Sequence, residues 1–192
     1  MARVVTIVEG YGEVASVPIL IRRIAERIDP ECYVDLPRPI RVKRQLIVKE
    51  GEFERAIELA ARQSGTDGRI LVLLDADNDC PANLAATLIQ RATAARSDRP
   101  IRVVLAKVEY EAWFLAAAAS IAGHRDLDPA TVAPPDPEAV GDAKGWLSAR
   151  MPHGRGYRET LDQPAFTKIF DVDAARSAPS FKKLWRDVAS LL

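Results

Sequence analysis

The sequence predicts an α/β protein built on a mostly parallel sheet flanked by helices. Three observations carry this. Short β-branched or aliphatic runs, VVTIV at Val4–Val8, ILVLL at Ile70–Leu74 and IRVVLA at Ile101–Ala106, are apolar without alternation, as strands covered on both faces are. Segments with apolar residues at helical spacing separate those runs. Strand, helix, strand, helix, strand in this order implies right-handed crossovers in an open sheet.

The elements follow in order. Val4–Val8 empties into Glu9-Gly10-Tyr11-Gly12, a glycine loop. Glu13–Arg27 places Val17, Leu20, Ile21 and Ile24 on one helical face, with Pro18 tolerable only in the first turn, and Asp29-Pro30 closes the element. Residues 33–48 mix β-formers, two prolines and basic residues, which reads as an irregular edge strand and loop. Glu52–Gln63 repeats Phe53, Ala56, Ile57, Ala60 and Ala61 and stops at Ser64–Gly68. A helix over Ala82–Arg96 and another over Glu111–Ala122 flank the third strand. From Gly123 to about Thr160, Pro, Gly and charge dominate without period, the texture of a partly ordered insertion or cap. Ala165–Leu192 is helical again, its last helix starting at Ser180 with Phe181, Leu184, Trp185 and Val188 in one stripe.

Composition narrows the function. At 192 residues and 48% apolar content the chain suits one core. Lys plus Arg and Asp plus Glu both number 27, so no global field draws it to nucleic acid or an anionic membrane. Cys32 and Cys80 alone suggest no disulfide framework. Glu9 interrupts the first apolar run too early for a signal-peptide core or membrane span, so a cytoplasmic protein with no membrane partner is expected.

In an open parallel sheet, ligand chemistry belongs beyond the carboxyl ends of the strands. Each strand here ends in acid: Glu9 and Glu13 after the first, Asp75 and Asp77 (with Asp79) after the second, Glu109 and Glu111 after the third. Clustered carboxylates repel and take up protons unless a counter-charge is present. All-oxygen ligands suit Mg2+ or Mn2+. Zinc is disfavoured, since His124 and His153 lie apart and the cysteines lack ligand spacing. DADND is not a calcium loop, because Cys80 and Ala86 stand where its sixth-position Gly and twelfth-position Glu belong. An aspartyl phosphatase or a sugar-nucleotide DxD site leaves the glutamates of the first strand unexplained. The competing reading of the rim is solvated acids capping helices.

VEGYGE after the first strand, LLDADND at the second and an acid cluster after the third resemble the Toprim catalytic domain of topoisomerases, primases and overcoming-lysogenization-defect nucleases. With EYEAWFLA and the tail YRETLDQPAFTKIFDVDAARSAPSFKKL, the narrower likeness is to small stand-alone Toprim-like bacterial proteins of unknown function. The resemblance implies a Toprim-like, Rossmann-like domain over residues 1–122 and a helical or irregular C-terminal extension, 123–192, packing on it. It implies Glu9 as metal ligand or general acid/base, Asp75 and Asp77 as paired metal ligands, and Glu13 as a further ligand. Glu111, with Glu109 as understudy, stands for the acid after the third strand. A lysine near the reacting phosphate has Lys144 as its candidate, with Arg155 or Arg158 behind it. One metal is expected between Glu9, Glu13 and Asp75 and a second near Asp75, Asp77 and Glu111.

The activity implied is Mg2+- or Mn2+-dependent hydrolysis of DNA or RNA, within an antiphage system. A separately encoded ATPase is the partner expected, because these residues include no ATPase domain; self-association stays open. A non-catalytic Toprim-like binding or regulatory module is the alternative. Arg38, Arg41, Lys43 and Arg44 form the only dense positive stretch and could track backbone phosphates, although a solvated edge strand protected by charge is the better account of them. Trp113 and Phe114 read as core, Tyr157 as a loop residue, and Trp146 is undecided.

Overall fold

A computed structural model describes residues 1–192. The strands are β1 (Ala2–Val8), β2 (Val34–Asp35), β3 (Ile40–Arg41), β4 (Arg69–Asp75) and β5 (Ile101–Ala106). The helices are α1 (Tyr11–Ile28), α2 (Arg44–Ile47), α3 (Glu52–Ser64), α4 (Pro81–Ala95), α5 (Ala112–Ala116), α6 (Ala118–Ile121), α7 (Ala143–Ser148), α8 (Glu159–Ile169) and α9 (Pro179–Ala189). All pairings are parallel: β1 lies between β4 and the two short strands β2 and β3, and β5 closes the far edge beside β4.

The unalternating apolar strands are explained by two cores, one on each face. Val5 and Ile7 of β1, Ile70, Val72 and Leu74 of β4, and Ile101, Val103 and Leu105 of β5 pack with α3 and α4. Val4, Val8, Leu71, Leu73, Val104 and Ala106 point the other way, onto α1, α5, α8 and α9. Each central strand buries both sets of side chains, so polar alternation would place polar groups in one core or the other.

This topology positions the site. From β1 the chain crosses by α1 to β3 on one side; β4 then returns to the opposite side of β1 and exits through α4. α1 and α4 leave over opposite faces, so a crevice opens where the carboxyl ends of β1 and β4 lie side by side, the switch point at which doubly wound sheets bind ligands.

Several boundaries differ from the sequence reading. α1 begins at Tyr11 instead of Glu13, which puts Pro18 well inside the helix, where it removes the donor to the Val14 carbonyl. The expected helix 111–122 breaks into α5 and α6 at Ala117, which leaves the α region at φ −111°, ψ 25°. Residues 124–160 are ordered: a 3-10 turn at Pro137–Ala139 and α7 lie within them, and α8 begins at Glu159, ahead of the expected Ala165. Asp142 caps α7 by accepting from the Gly145 amide at 2.7 Å. The last helix starts at Pro179, a residue earlier than expected, and Ser180 instead anchors Glu138 through its amide at 2.9 Å.

The C-terminal segment is sewn into the sheet by aromatic packing. Tyr110, Trp113 and Phe114 are fully buried; Tyr110 packs on the other two, Trp113 meets Phe181 and Phe114 meets Phe166 and Phe170 edge-on, with centroids 4.8–5.7 Å apart. Trp113 Nε1 donates to Ser180 Oγ at 2.8 Å, and the Tyr110 hydroxyl and Thr167 Oγ1 are 3.0 Å apart, so both polar tips are satisfied. Trp113 and Phe114 are therefore core. No helix is long and apolar enough to cross a membrane.

Candidate functional site

The first side of the crevice is the glycine loop after β1. The Gly10 amide donates to Glu13 Oε2 at 2.6 Å, half of a capping box that holds Glu13 over the start of α1. The Gly12 amide donates to Glu159 Oε1 at 3.2 Å, bringing a carboxylate from α8 to the same helix end. Neither glycine needs a positive φ; they are required because side chains occupy the space a Cβ would fill, Glu13 and Glu159 at Gly10, and Gln163 and Glu159 at Gly12. Two negative charges at a helix N-terminus are favourable in themselves, so part of this arrangement is structural.

The second side is made by two interlocked loops. Asp75 ends β4, and its Oδ1 accepts from the Tyr110 amide at 2.8 Å. The ladder continues past the strands: Ala76 N–H bonds Ala106 O at 2.8 Å and Asp77 N–H bonds Val108 O at 3.0 Å. Asp77 and Val108 both have positive φ, 49° and 62°. Glu109 N–H reaches Lys107 O at 2.9 Å across Val108, a γ-turn of the rare strained kind on a β-branched residue. Strain of this sort persists where the surroundings over-determine it, which favours functional loops.

Lys144 fills the middle. Its amide donates to Glu109 Oε2 at 3.1 Å, and its Nζ lies 3.1 Å from Glu109 Oε1, 3.0 Å from Glu111 Oε2 and 4.0 Å from Asp75 Oδ2. Glu111 is fully buried. Its Oε1 accepts from the Tyr157 hydroxyl at 2.8 Å and from Gln163 Nε2 at 3.1 Å, while Ser16 Oγ donates to Gln163 Oε1 at 3.2 Å. Helices α1, α7 and α8 thus converge on one carboxylate. Tyr157 is half-buried and orients Glu111, unlike the ordinary loop residue expected.

Electrostatically the crevice is over-filled with acid. Burial pushes the Glu13 carboxyl up to about 7, with Glu159 and Glu111 adding repulsion. Burial likewise raises Asp75 well above the carboxylate range, helped by Glu111 and Glu13, and raises Glu111 despite Lys144. Burial would discharge Lys144, but Glu111, Asp75 and Glu109 outweigh it and hold the ammonium firmly charged. Glu9 is raised by burial and then by Asp77, against the pull of Arg44 and Lys144. The acids therefore divide into an inner set, Asp75, Glu109 and Glu111 around Lys144 with Glu13 against them, and an outer set, Glu9 and Asp77 near Arg44.

Two observations bear on a metal. Glu9 Oε2 and Glu111 Oε2 are both buried without a hydrogen-bond partner; Glu111 Oε2 has the Lys144 ammonium 3.0 Å away, whereas Glu9 has no ion pair. Raised carboxyls with hard oxygen donors are what Mg2+ or Mn2+ would relieve, so the donor set fits. As the side chains stand, however, no three His, Cys, Asp or Glu groups converge as a formed metal site, and Lys144 already serves Glu109 and Glu111.

Other expected residues fall outside the centre. Asp79 is exposed and pairs with Arg44, whose Nη1 also donates to the Asp75 carbonyl at 2.9 Å. Arg41 lies on the rim, donating to the Glu9 carbonyl at 3.3 Å, while Arg38 and Lys43 are exposed. Arg155 binds the buried Asp162 at 2.7 Å, and the Arg158 amide donates to the same carboxylate at 2.7 Å. Arg155 is thereby committed to local structure, whereas Arg158 contributes only its amide and is exposed. Glu159 and Gln163 were not anticipated. Their spacing of one helical turn, continuing into Phe166 and Phe170, is the signal that marks α8 as facing the site. A separate apolar groove of about 840 Å³ between α4, β5 and α9, lined by Ala85, Ile89, Val103 and Leu105 among others, holds none of these rim acids.

No curated protein and no solved structure matches this chain. The family model described as a domain of unknown function, DUF4276, matches residues 8–189, nearly the whole of this two-faced α/β fold with its acidic crevice, and the chain belongs to that family.

Proposed function

We propose that this protein is a Toprim-type, divalent-metal-dependent phosphodiesterase acting on nucleic acid. The observation that carries the reading is the acid gathered at the switch point: Glu13 and Glu111 are buried, Glu9 and Asp75 partly so, the exposed Asp77 lies beside Glu9, one ammonium, Lys144, pairs with Asp75, Glu109 and Glu111, and Glu9 Oε2 has no hydrogen-bond partner. Supporting it are the order and spacing of VEGYGE, DADND and EYEAWFLA, which resemble Toprim motifs.

Glu9 and Asp77 of the outer set, with Asp75 of the inner set, would hold a hard dication, with Glu13 and Glu111 behind them. Such an ion, when bound, supplies charge to a phosphate and lowers the pKa of attacking water. The chain's own residues do the rest. Lys144, on the inner side, presents a fixed positive charge toward a phosphate seated over Asp75. Tyr157 and Gln163 fix Glu111 so that it holds Lys144 in place. Glu9, its proton affinity raised, can accept a proton at Oε2. A separately encoded ATPase is the partner this reading proposes.

The test is cleavage of end-labelled DNA and RNA by the purified chain with Mn2+, Mg2+ or EDTA. Metal-dependent cleavage is expected. Asp75→Ala should reduce it at least about 100-fold, beyond the 10–100-fold typical of groups that only orient a ligand. Cleavage that survives EDTA or Asp75→Ala sinks the reading.

One observation favours a second reading: Lys144 satisfies Glu109 and Glu111 without any metal. A non-catalytic module keeping the fold would show neither cleavage nor a rise in Tm with Mn2+.

A further inference from the structure

Tyr11 sits at the acidic rim and is 66% exposed as a residue, although large aromatic side chains normally bury most of their area. It is the first residue of α1, two positions from Glu9. One face of the ring is covered by the Arg41 guanidinium, whose central carbon lies 4.0 Å from the ring centroid. Arg41 is itself tethered, donating from Nη2 to the Tyr11 hydroxyl and from Nη1 to the Glu9 carbonyl, both at 3.3 Å. The ring is thus backed on one side and open on the other. Exposed Arg38 and Lys43 bracket the short strand that carries Arg41. Tyr33, also 70% exposed, has no such setting: it precedes β2, which pairs with the amino end of β1, away from the acids.

Resting on the phosphodiesterase reading, we propose that Tyr11, stiffened by Arg41, is a nucleobase-stacking platform, and that the nucleic acid bound at the acidic rim is single-stranded. Every base has a π-face, and an arginine-backed ring held beside a basic lip is the combination that single-strand sites use. Within a duplex both faces of each base are already covered by neighbours, so a lone projecting ring gains nothing there. The platform also sets register: a base held at Tyr11 places its own phosphates next to Glu9, at the mouth of the crevice.

The experiment is fluorescence anisotropy in EDTA, where binding is read without cleavage. The probes are a fluorescein-labelled oligothymidylate 20-mer and a labelled duplex of equal length. Wild type should bind the single strand more tightly than the duplex. Tyr11→Ala should weaken single-strand binding about 5- to 150-fold, the equivalent of one stacked base at about 1–3 kcal/mol, and leave duplex binding unchanged. Tyr11→Phe, which keeps the ring, should bind as wild type. Thymidine monophosphate at the same nucleotide concentration should fail to displace the strand; equal displacement would identify a free nucleotide and overturn the polymer. No loss in Tyr11→Ala, equal loss on both probes, or no binding by wild type would each overturn the platform. Cleavage by wild type in Mn2+ is scored separately, so loss of the platform and loss of the phosphodiesterase reading are distinguishable.

Discussion

The inner and outer halves of the acidic crevice solve one problem in two ways. On the inner side, Glu109 and Glu111 are neutralised by Lys144, and Glu111 Oε1 is held by Tyr157 and Gln163, so that the buried charge is ion-paired, although Glu111 Oε2 has that pair and no hydrogen bond. On the outer side, Glu9 keeps a buried oxygen with no partner beside Asp77, with Arg44 committed to Asp79 and to the Asp75 carbonyl. A protein fills buried polar valences unless something else is to fill them. The inner half is therefore balanced by Lys144, and the outer half, where Glu9 has no ion pair, is where a cation has most to gain.

The sharpest way to break this comparison is Lys144→Met. Removing the cation leaves Glu111 and Asp75 buried without their partner, and stripping one member from a buried pair costs about 3–5 kcal/mol. Chemical denaturation at pH 7 should show a loss of that size, and Mn2+ should restore part of it if the inner acids can then take a metal.

The pH dependence of stability comes next. Glu13 sits at about 7 in the fold against an ordinary 4.5, so between those values the folded chain holds a proton that the unfolded chain has released. Stability from this group is complete below pH 4.5 and is lost as the pH rises through 7, by up to about 3 kcal/mol at about 1.4 kcal/mol per pH unit. Asp75 and Glu111 are raised as well and act in the same direction. In EDTA, Tm should fall from pH 5 to pH 8, and Mg2+ should raise Tm more at pH 8 than at pH 5. A metal-free Tm that rises over this range would refute the over-filled crevice.

Gly12→Ala tests the seam between α1 and α8, because the new methyl meets Gln163 and Glu159. Overpacking of this kind costs about 1–3 kcal/mol, read as a lower denaturation midpoint. Glu9→Gln should have the smallest effect on stability, within about 0.5 kcal/mol, because no partner is lost. The same substitution should abolish Mn2+-dependent cleavage, and that split between stability and activity is what separates the outer half from the inner.

Much of this was legible in the chain. The three unalternating strands, α3 and the acids at each strand end follow from residue type and order. Glu159 and Gln163 escaped because the Pro- and Gly-rich stretch before them masked the start of α8. Tyr157 reads as a loop tyrosine until Glu111 stands 2.8 Å away. The Arg38–Arg44 stretch looked uniform, yet it divides into rim residues, Arg41 and Arg44, and exposed ones, Arg38 and Lys43. That division depends on which way a two-residue strand turns its side chains, and local pattern is too short there to say.

The amino-acid sequence alone determined that the sheet is parallel and covered on both faces, because apolar residues without alternation are stable only with a core on either side. It also determined that acid would gather at the strands' carboxyl ends, since a connection after each strand must emerge there. Tertiary structure decided which acids are satisfied and which are not: Lys144, Tyr157, Gln163 and Glu159 arrive from helices far along the chain, and charge is balanced by distances in space that spacing in sequence does not encode.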